Sequence, residues 1–191
     1  DFALSRTVHM PGILLLVYVS ALMFVMRHFA GPLVHKLSSI GLLWVSCLLA
    51  SLGLAALSIA NSPVTGLLAA TIWGIGVCYM WPTMLATASE RFPRGGALLM
   101  GLMGTAGMLS TPLVLPLMGQ VYDTKKVEVA GGQAAFEALQ AGSTELDRVL
   151  GIAAQTSFRY VAILPAVLLL VFGLIWLRDR SAGGFKGAKV S

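Results

Sequence analysis

Apolar and polar positions in this chain fall in long blocks rather than alternating residue by residue. Five apolar runs, at about 11–26, 40–60, 66–88, 96–119 and 160–177, are separated by short polar links and one long polar stretch, 121–155. A hydrocarbon core of about 30 Å takes roughly 20 helical residues to cross. The two central runs exceed that length and contain no Asp, Glu, Lys or Arg. Between them lies SERFPRG, where Pro93 has no N–H to give a helix and Gly95 and Gly96 loosen the backbone. The pattern predicts a membrane hairpin at the centre of an all-α polytopic membrane protein with about five transmembrane helices. The first run is short, about 16 residues, and extends to about 18 if His9 and Met10 are included. Pro11 suits a helix start, because its missing N–H has no partner there anyway.

The long polar stretch carries Lys125, Lys126, Glu128, Glu137, Glu145, Asp147 and Arg148. Within it Phe136 and Leu139, then Leu146, Val149 and Leu150, recur at three-to-four spacing. Two short surface helices broken near Gly142 are expected, with a capping pattern over 144–147. The tail 178–191, RDRSAGGFKGAKVS, has the composition of a disordered segment.

Composition supports lipid as the solvent. The 191 residues are 57% hydrophobic and only 11% charged, against about a quarter charged in soluble domains. The formal charge of +5 is explained by topology rather than by nucleic acid, since no basic patch interleaved with aromatics is present. Grouping the 27–39 loop, the 89–95 link and the tail on one side collects eight basic residues against Glu90 and Asp179. The other side holds five basic residues and six acids. The basic side, with the C-terminus, is expected to be cytoplasmic and the 121–155 loop outward. Five alternating spans then put the N-terminus outside. That placement, with Asp1 in place of an initiator Met and no signal pattern, suits a piece of a longer chain. Cys47 and Cys78 lie inside apolar runs and read as small buried residues.

Candidate chemistry is sparse. Ala97, Gly101 and Thr105, widened by Gly104 and Gly107, form a small-residue row of the kind that lets membrane helices approach closely. Gly74, Gly76 and Pro82 interrupt the third run, and Pro112 and Pro116 the fourth. In a membrane such breaks need protein neighbours or a watery cavity, and transporters place them at substrate sites. Tyr18, Trp73, Tyr79, Trp81 and Thr83 supply aromatic and hydroxyl groups; Trp73, Val77 and Met80 share one helical face, and Tyr79 and Thr83 another. No carboxylate sits mid-run to relay protons, and no Arg or Lys to clamp an anion. His9, His28 and His35 lie at run ends or in a loop. Neither a metal site, a cofactor nor an enzymatic constellation is expected: Ser46, Ser51, Ser110 and Thr111 have no base at hand.

The hairpin resembles the tenth and eleventh helices of a major facilitator superfamily transporter. The residues that carry the likeness are Gly74, Gly76, Pro82 and Thr83, the link Glu90-Arg91-Phe92-Pro93, and Gly101, Pro116, Gly119 and Asp123. In that superfamily the tenth helix commonly ends in an acidic-x-aromatic-Pro link and the eleventh in a Pro-x-x-Gly-x-x-x-Asp exit. Gly31-Pro32-Leu33-Val34-His35-Lys36 is similar to its repeated cytoplasmic Gly-x-Leu-x-Asp-Arg motif. Gly31 and Leu33 agree and Lys36 keeps the charge, while His35 replaces the acid and Ser38 a later glycine.

The resemblance implies helices eight to twelve of a twelve-helix fold, a partial C-terminal half whose partner is the missing N-terminal half. It implies alternating access to a midplane site for a small-molecule substrate, in the cytoplasmic (inner) or plasma membrane. The eighth, tenth and eleventh helices would line the cavity, with Tyr18, Trp73, Val77, Met80, Thr105 and Met108 as lining candidates acting by stacking and shape. Glu90, Arg91, Pro93 and Arg94 would form the cytoplasmic link, and Arg27 and Lys36 would share its face. The rival expectations are a non-transporting membrane scaffold or assembly subunit, and an intramembrane enzyme.

Overall fold

The computed structural model describes residues 12–181. The expected Pro11 start, the His9–Met10 extension, Arg6 and the tail beyond residue 181 lie outside the described residues, as do the side chains of Gly31 and His35. All regular structure among the described residues is helical. In chain order the helices are α1 (Gly12–Arg27), α2 (Ala30–Leu37), α3 (Ser39–Leu57), α4 (Pro63–Arg91), α5 (Gly96–Ala130), α6 (Gln133–Glu137) and α7 (Thr144–Ser181), with a 3-10 turn at Pro93–Gly95. Four of them, α3, α4, α5 and α7, are long and apolar enough to cross a membrane, and α1 is a shorter apolar helix. Its 16 residues rise about 24 Å at 1.5 Å each.

Local chemistry sets the boundaries. Ser38 takes a left-handed φ of 62° at the corner between α2 and α3, and its Oγ accepts from Gly41 N at 3.2 Å. Side chains rarely adopt that backbone, so the cap hydrogen bond offsets local strain. α4 opens on a reciprocal capping box. Thr65 N donates to Ser62 Oγ at 3.3 Å, Ser62 N donates to Thr65 Oγ1 at 3.1 Å, and Pro63 stands in the first turn. α5 ends at Gly131, φ 87°, where Gly131 N donates to Glu128 O and Gly132 N to Val127 O. α7 is capped by Ser143, whose Oγ accepts from Leu146 N at 3.2 Å. The cap is thus one residue before the expected pattern, and Gly142 (φ 80°) breaks the chain just ahead of it.

The helices outrun their apolar cores. α5 continues eleven residues past the apolar run that ends at 119, and α7 begins sixteen residues before the run at 160. Most of the 121–155 stretch, expected as a loop with two short helices, is therefore the polar ends of α5 and α7 with α6 between them. Ion pairs one turn apart support these ends: Lys126–Asp123 at 2.5 Å, Lys125–Glu128 at 2.7 Å and Arg148–Glu145 at 2.6 Å.

α3 is the centre of the bundle, packing on α4 along its length and on α7 across another face. Two glycines bring α3 and α4 to backbone contact. A Cβ on Gly53 would strike the backbone of Trp73, 2.5 Å from its Cα, and one on Gly76 would stand 2.5 Å from Ala50 N and 2.8 Å from Ser46 O. Nothing larger than hydrogen fits at either position. Around this crossing lie two clusters. One joins Leu42, Cys78 and Tyr79 to Met23, Met26 and Leu37; the other joins Leu54, Leu57 and Ala69 to Trp73, Phe158 and Val161. Trp44 of α3 stacks on Trp176 of α7 with centroids 5.8 Å apart. α5 differs from all of these, because none of its residues is buried. The small-residue row expected to pack helices together is open over most of its length. A Cβ on Gly101 or Gly104 would meet nothing within 4 Å, and only Gly107, against Trp81, has a neighbour among the described glycines of the row.

Candidate functional site

α4 presents a different sector to each neighbour. Thr71, Gly74 and Cys78, at i, i+3 and i+7, face α1. Thr71 gives its own proton to Leu67 O at 2.7 Å, so Tyr18 donates to Thr71 Oγ1, at 2.6 Å. Cys78 Sγ donates to Met23 O at 3.2 Å, and a Cβ on Gly74 would touch Leu22 and Val19. A second sector, with Ala69 and Gly76, faces α3. Trp81 and Met84 face α5, and Val77 stands one turn before Trp81 on the same side.

Between α4 and α5 this third sector borders a cleft of about 830 Å³. Trp81 and Met84 line it from α4, and Gly104, Gly107, Met108, Ser110, Thr111 and Pro112 from α5. The indole of Trp81 lies against the α5 backbone, its Cζ3 and Cη2 3.3 Å from where a Cβ on Gly107 would be. Among the described residues no charged side chain lines the cleft. Polar groups come instead from hydroxyls and from the backbone at Pro112, through which α5 continues as a helix. Ser110 Oγ donates to Gly107 O at 2.7 Å. Pro112 removes the N–H that would otherwise serve the Met108 carbonyl, leaving an acceptor on a cleft residue. The cleft can therefore hold an uncharged molecule by stacking, thioether contact and a few hydrogen bonds.

Of the six lining candidates named from the sequence, Met108 lies in this cleft, 79% exposed. Val77 and Met80 are half-buried on α4. Trp73 is packed with Leu54, Leu57 and Phe158 where α3, α4 and α7 meet. Tyr18 is held at the α1–α4 contact by its bond to Thr71. Thr105 is exposed, its Oγ1 donating to Gly101 O at 2.9 Å. Tyr18 and Trp73 therefore lie on different sides of α4. Trp81 and Met84 are the wall residues that the face built on Trp73 did not include. Their signal was spacing, since Val77, Trp81 and Met84 repeat at i, i+4 and i+7.

The link residues are engaged at one end of the bundle. Ser39 Oγ donates to Glu90 Oε1 at 2.9 Å, and Arg91 pairs with Asp179, tying the end of α4 to the start of α3 and the end of α7. The Arg180 guanidinium lies 5.7 Å over the Trp176 ring. Pro93 opens the 3-10 turn and Arg94 is exposed. Of the loop motif, Leu33 packs on the Leu42 cluster and Lys36 is exposed. At the opposite end Gln155 Nε2 donates to Ala60 O at 2.8 Å and Asn61 Oδ1 at 3.1 Å, tying α7 to the α3–α4 turn. Among the described residues no three His, Cys, Asp or Glu side chains are grouped to hold a metal ion.

Comparison with protein-family models, with curated proteins and with solved structures gives no match to this chain.

Proposed function

We propose that the protein is a membrane transporter that moves a small uncharged solute by alternating access, with the cleft between α4 and α5 as one wall of the path. The observation that carries this reading is the cleft itself. It is an uncharged hollow of about 830 Å³ between two long apolar helices, each with proline inside it. Both helices run on unbroken through their prolines, but each proline frees a carbonyl that inside a bilayer requires a neighbour or a cavity. Freed backbone carbonyls are a feature of transporter sites. The sequence likeness to the C-terminal half of a major facilitator supports the same assignment. On this reading the open face of α5 is covered by the helices of a first half, and Glu90, Arg91 and the end of α7 lie at the cytoplasmic side of an inner or plasma membrane.

Alternating exposure is the test. Cys47 and Cys78 are replaced by alanine, and single cysteines are introduced as M108C in the cleft and L109C beside it, in protein expressed from its complete reading frame. A membrane-impermeant maleimide applied separately to each side of sealed vesicles should label M108C from both sides and L109C from neither. Labelling of M108C from one side only, or from neither, would overturn the transport reading. It would favour the second one, a scaffold or assembly subunit, to which the absence of buried residues on α5 lends its own support.

A further inference from the structure

A second hollow, of about 400 Å³, lies between the polar end of α5 and the early part of α7. On α5 its wall is a single stripe: Leu117, Val121, Thr124, Lys125 and Glu128 recur at the spacings that share one helical face. Tyr160 faces them from α7. The stripe changes character along its length, from Leu117 and Val121 at one end to a charged pair at the other. Lys125 Nζ and Glu128 Oε1 are 2.7 Å apart, with 31% and 63% of their side chains exposed. Leu117 and Glu128 are separated by about 16 Å along the helix axis, more than the roughly 5–8 Å depth of one headgroup layer. Tyr160 opens the apolar run of α7, and Gly119 closes that of α5. The hollow therefore sits where both helices pass from apolar to polar sequence, the level at which tyrosine is enriched beside a bilayer.

A ligand suited to this place is apolar at one end and charged at the other. The charge available is one cation and one anion, which a purely anionic headgroup matches poorly because Glu128 repels it. The neighbouring Lys126 is occupied elsewhere, paired with Asp123 and 5.2 Å over the Phe136 ring. We propose that the hollow is an interfacial site for a zwitterionic phospholipid carrying a primary ammonium group. Its phosphate meets Lys125 and the Thr124 hydroxyl. Its ammonium donates to Glu128, and its acyl chains run along Leu117 and Val121 with Tyr160 beside them at the apolar end. The Lys125–Glu128 pair stays closed, so four charges alternate in a ring. This inference needs α5 and α7 to leave a bilayer here but does not need the protein to transport anything, so a failed labelling test and a failed lipid test are separate results.

The test is lipid retention, read by native mass spectrometry after the full chain is equilibrated with vesicles of equimolar phosphatidylethanolamine, phosphatidylcholine and phosphatidylglycerol. The wild type should retain phosphatidylethanolamine about tenfold over phosphatidylglycerol, one charge-assisted hydrogen bond's worth of preference. E128Q should abolish that preference. The swapped pair K125E/E128K, which keeps the ion pair and its support of the helix, should restore it. Equal retention of phosphatidylethanolamine and phosphatidylglycerol by the wild type, or an unchanged preference in E128Q, overturns the site. Equal retention of phosphatidylcholine overturns the ammonium contact. Binding of free phosphoethanolamine as tight as that of the lipid overturns the acyl-chain contact and assigns the hollow to a soluble zwitterion.

Discussion

α3 and α5 are both long, apolar and rich in small residues, yet they use those residues in opposite ways. On α3, Gly53 lies against the backbone of Trp73 on α4 while Ala50 receives Gly76, and eleven residues of the helix are buried. On α5, Gly101 and Gly104 face open space and no residue is buried. Small residues permit close approach, but they do not create it. Lipid gives little hydrophobic drive between helices, so a small-residue face becomes an interface only where a complementary surface is held against it. For α3 that surface is fixed by the short turn to α4 and by α7. For Gly101 and Gly104 of α5 no such surface stands against them among the described residues.

The same substitution separates the two helices most sharply. Gly53→Ala and Gly76→Ala each drive a methyl into facing backbone atoms, where only separation of the helices relieves the clash. Each should cost about 1–3 kcal/mol or more in reversible unfolding from mixed micelles. Gly101→Ala has no neighbour to strike and should instead stabilise the chain, by up to about 1 kcal/mol through helix propensity. If the face of α5 is covered in the assembled protein, the same Gly101→Ala should impair assembly while leaving the isolated chain intact. Equal effects at Gly53 and Gly101 would erase the distinction.

A smaller effect is expected at the end that fastens α4 to α7. Asp179→Asn weakens one charge-assisted contact of a part-buried Arg91 and should destabilise by about 1 kcal/mol. Because α5 takes no part in that contact, the cleft between α4 and α5 should still react at M108C. The smallest effect lies at the start of α7. The Arg148 guanidinium beside Glu145 lowers its carboxyl below the ordinary 4.5. The pair's contribution is therefore full above that ordinary value and is lost as pH falls through the lowered one. Acidification below about 4.5 should slightly reduce helicity at the α7 start by circular dichroism, and Glu145→Gln should remove that pH response.

The apolar runs made the long helices legible in the sequence, because a stretch without charge over more than 20 positions leaves the backbone few alternatives to a helix. Their ends were not legible. Hydropathy marks where lipid-like sequence stops, whereas Asp123–Lys126, Lys125–Glu128 and Glu145–Arg148 carry the helix on through polar sequence. The site was legible in part. Met108 and the prolines were visible as features of α5, but Trp73 and Trp81 look alike as residues of one apolar run. They lie about 80° apart around α4, and only the positions of α3, α5 and α7 decide which indole packs and which borders a cleft. Ser38 gave no signal, since its left-handed turn follows from where α2 must hand over to α3.

The bareness of α5 also bears on the order in which the bundle comes together during synthesis. α3 and α4 emerge before α5 and α7, and their contact through Gly53 and Gly76 needs no later sequence. α7 must then return to α3 across the whole length of α5 to stack Trp176 on Trp44 and reach Ala60 with Gln155. A helix buried against the first pair would block that return. By staying at the edge, α5 leaves the flank of α3 vacant until the last helix arrives to close it.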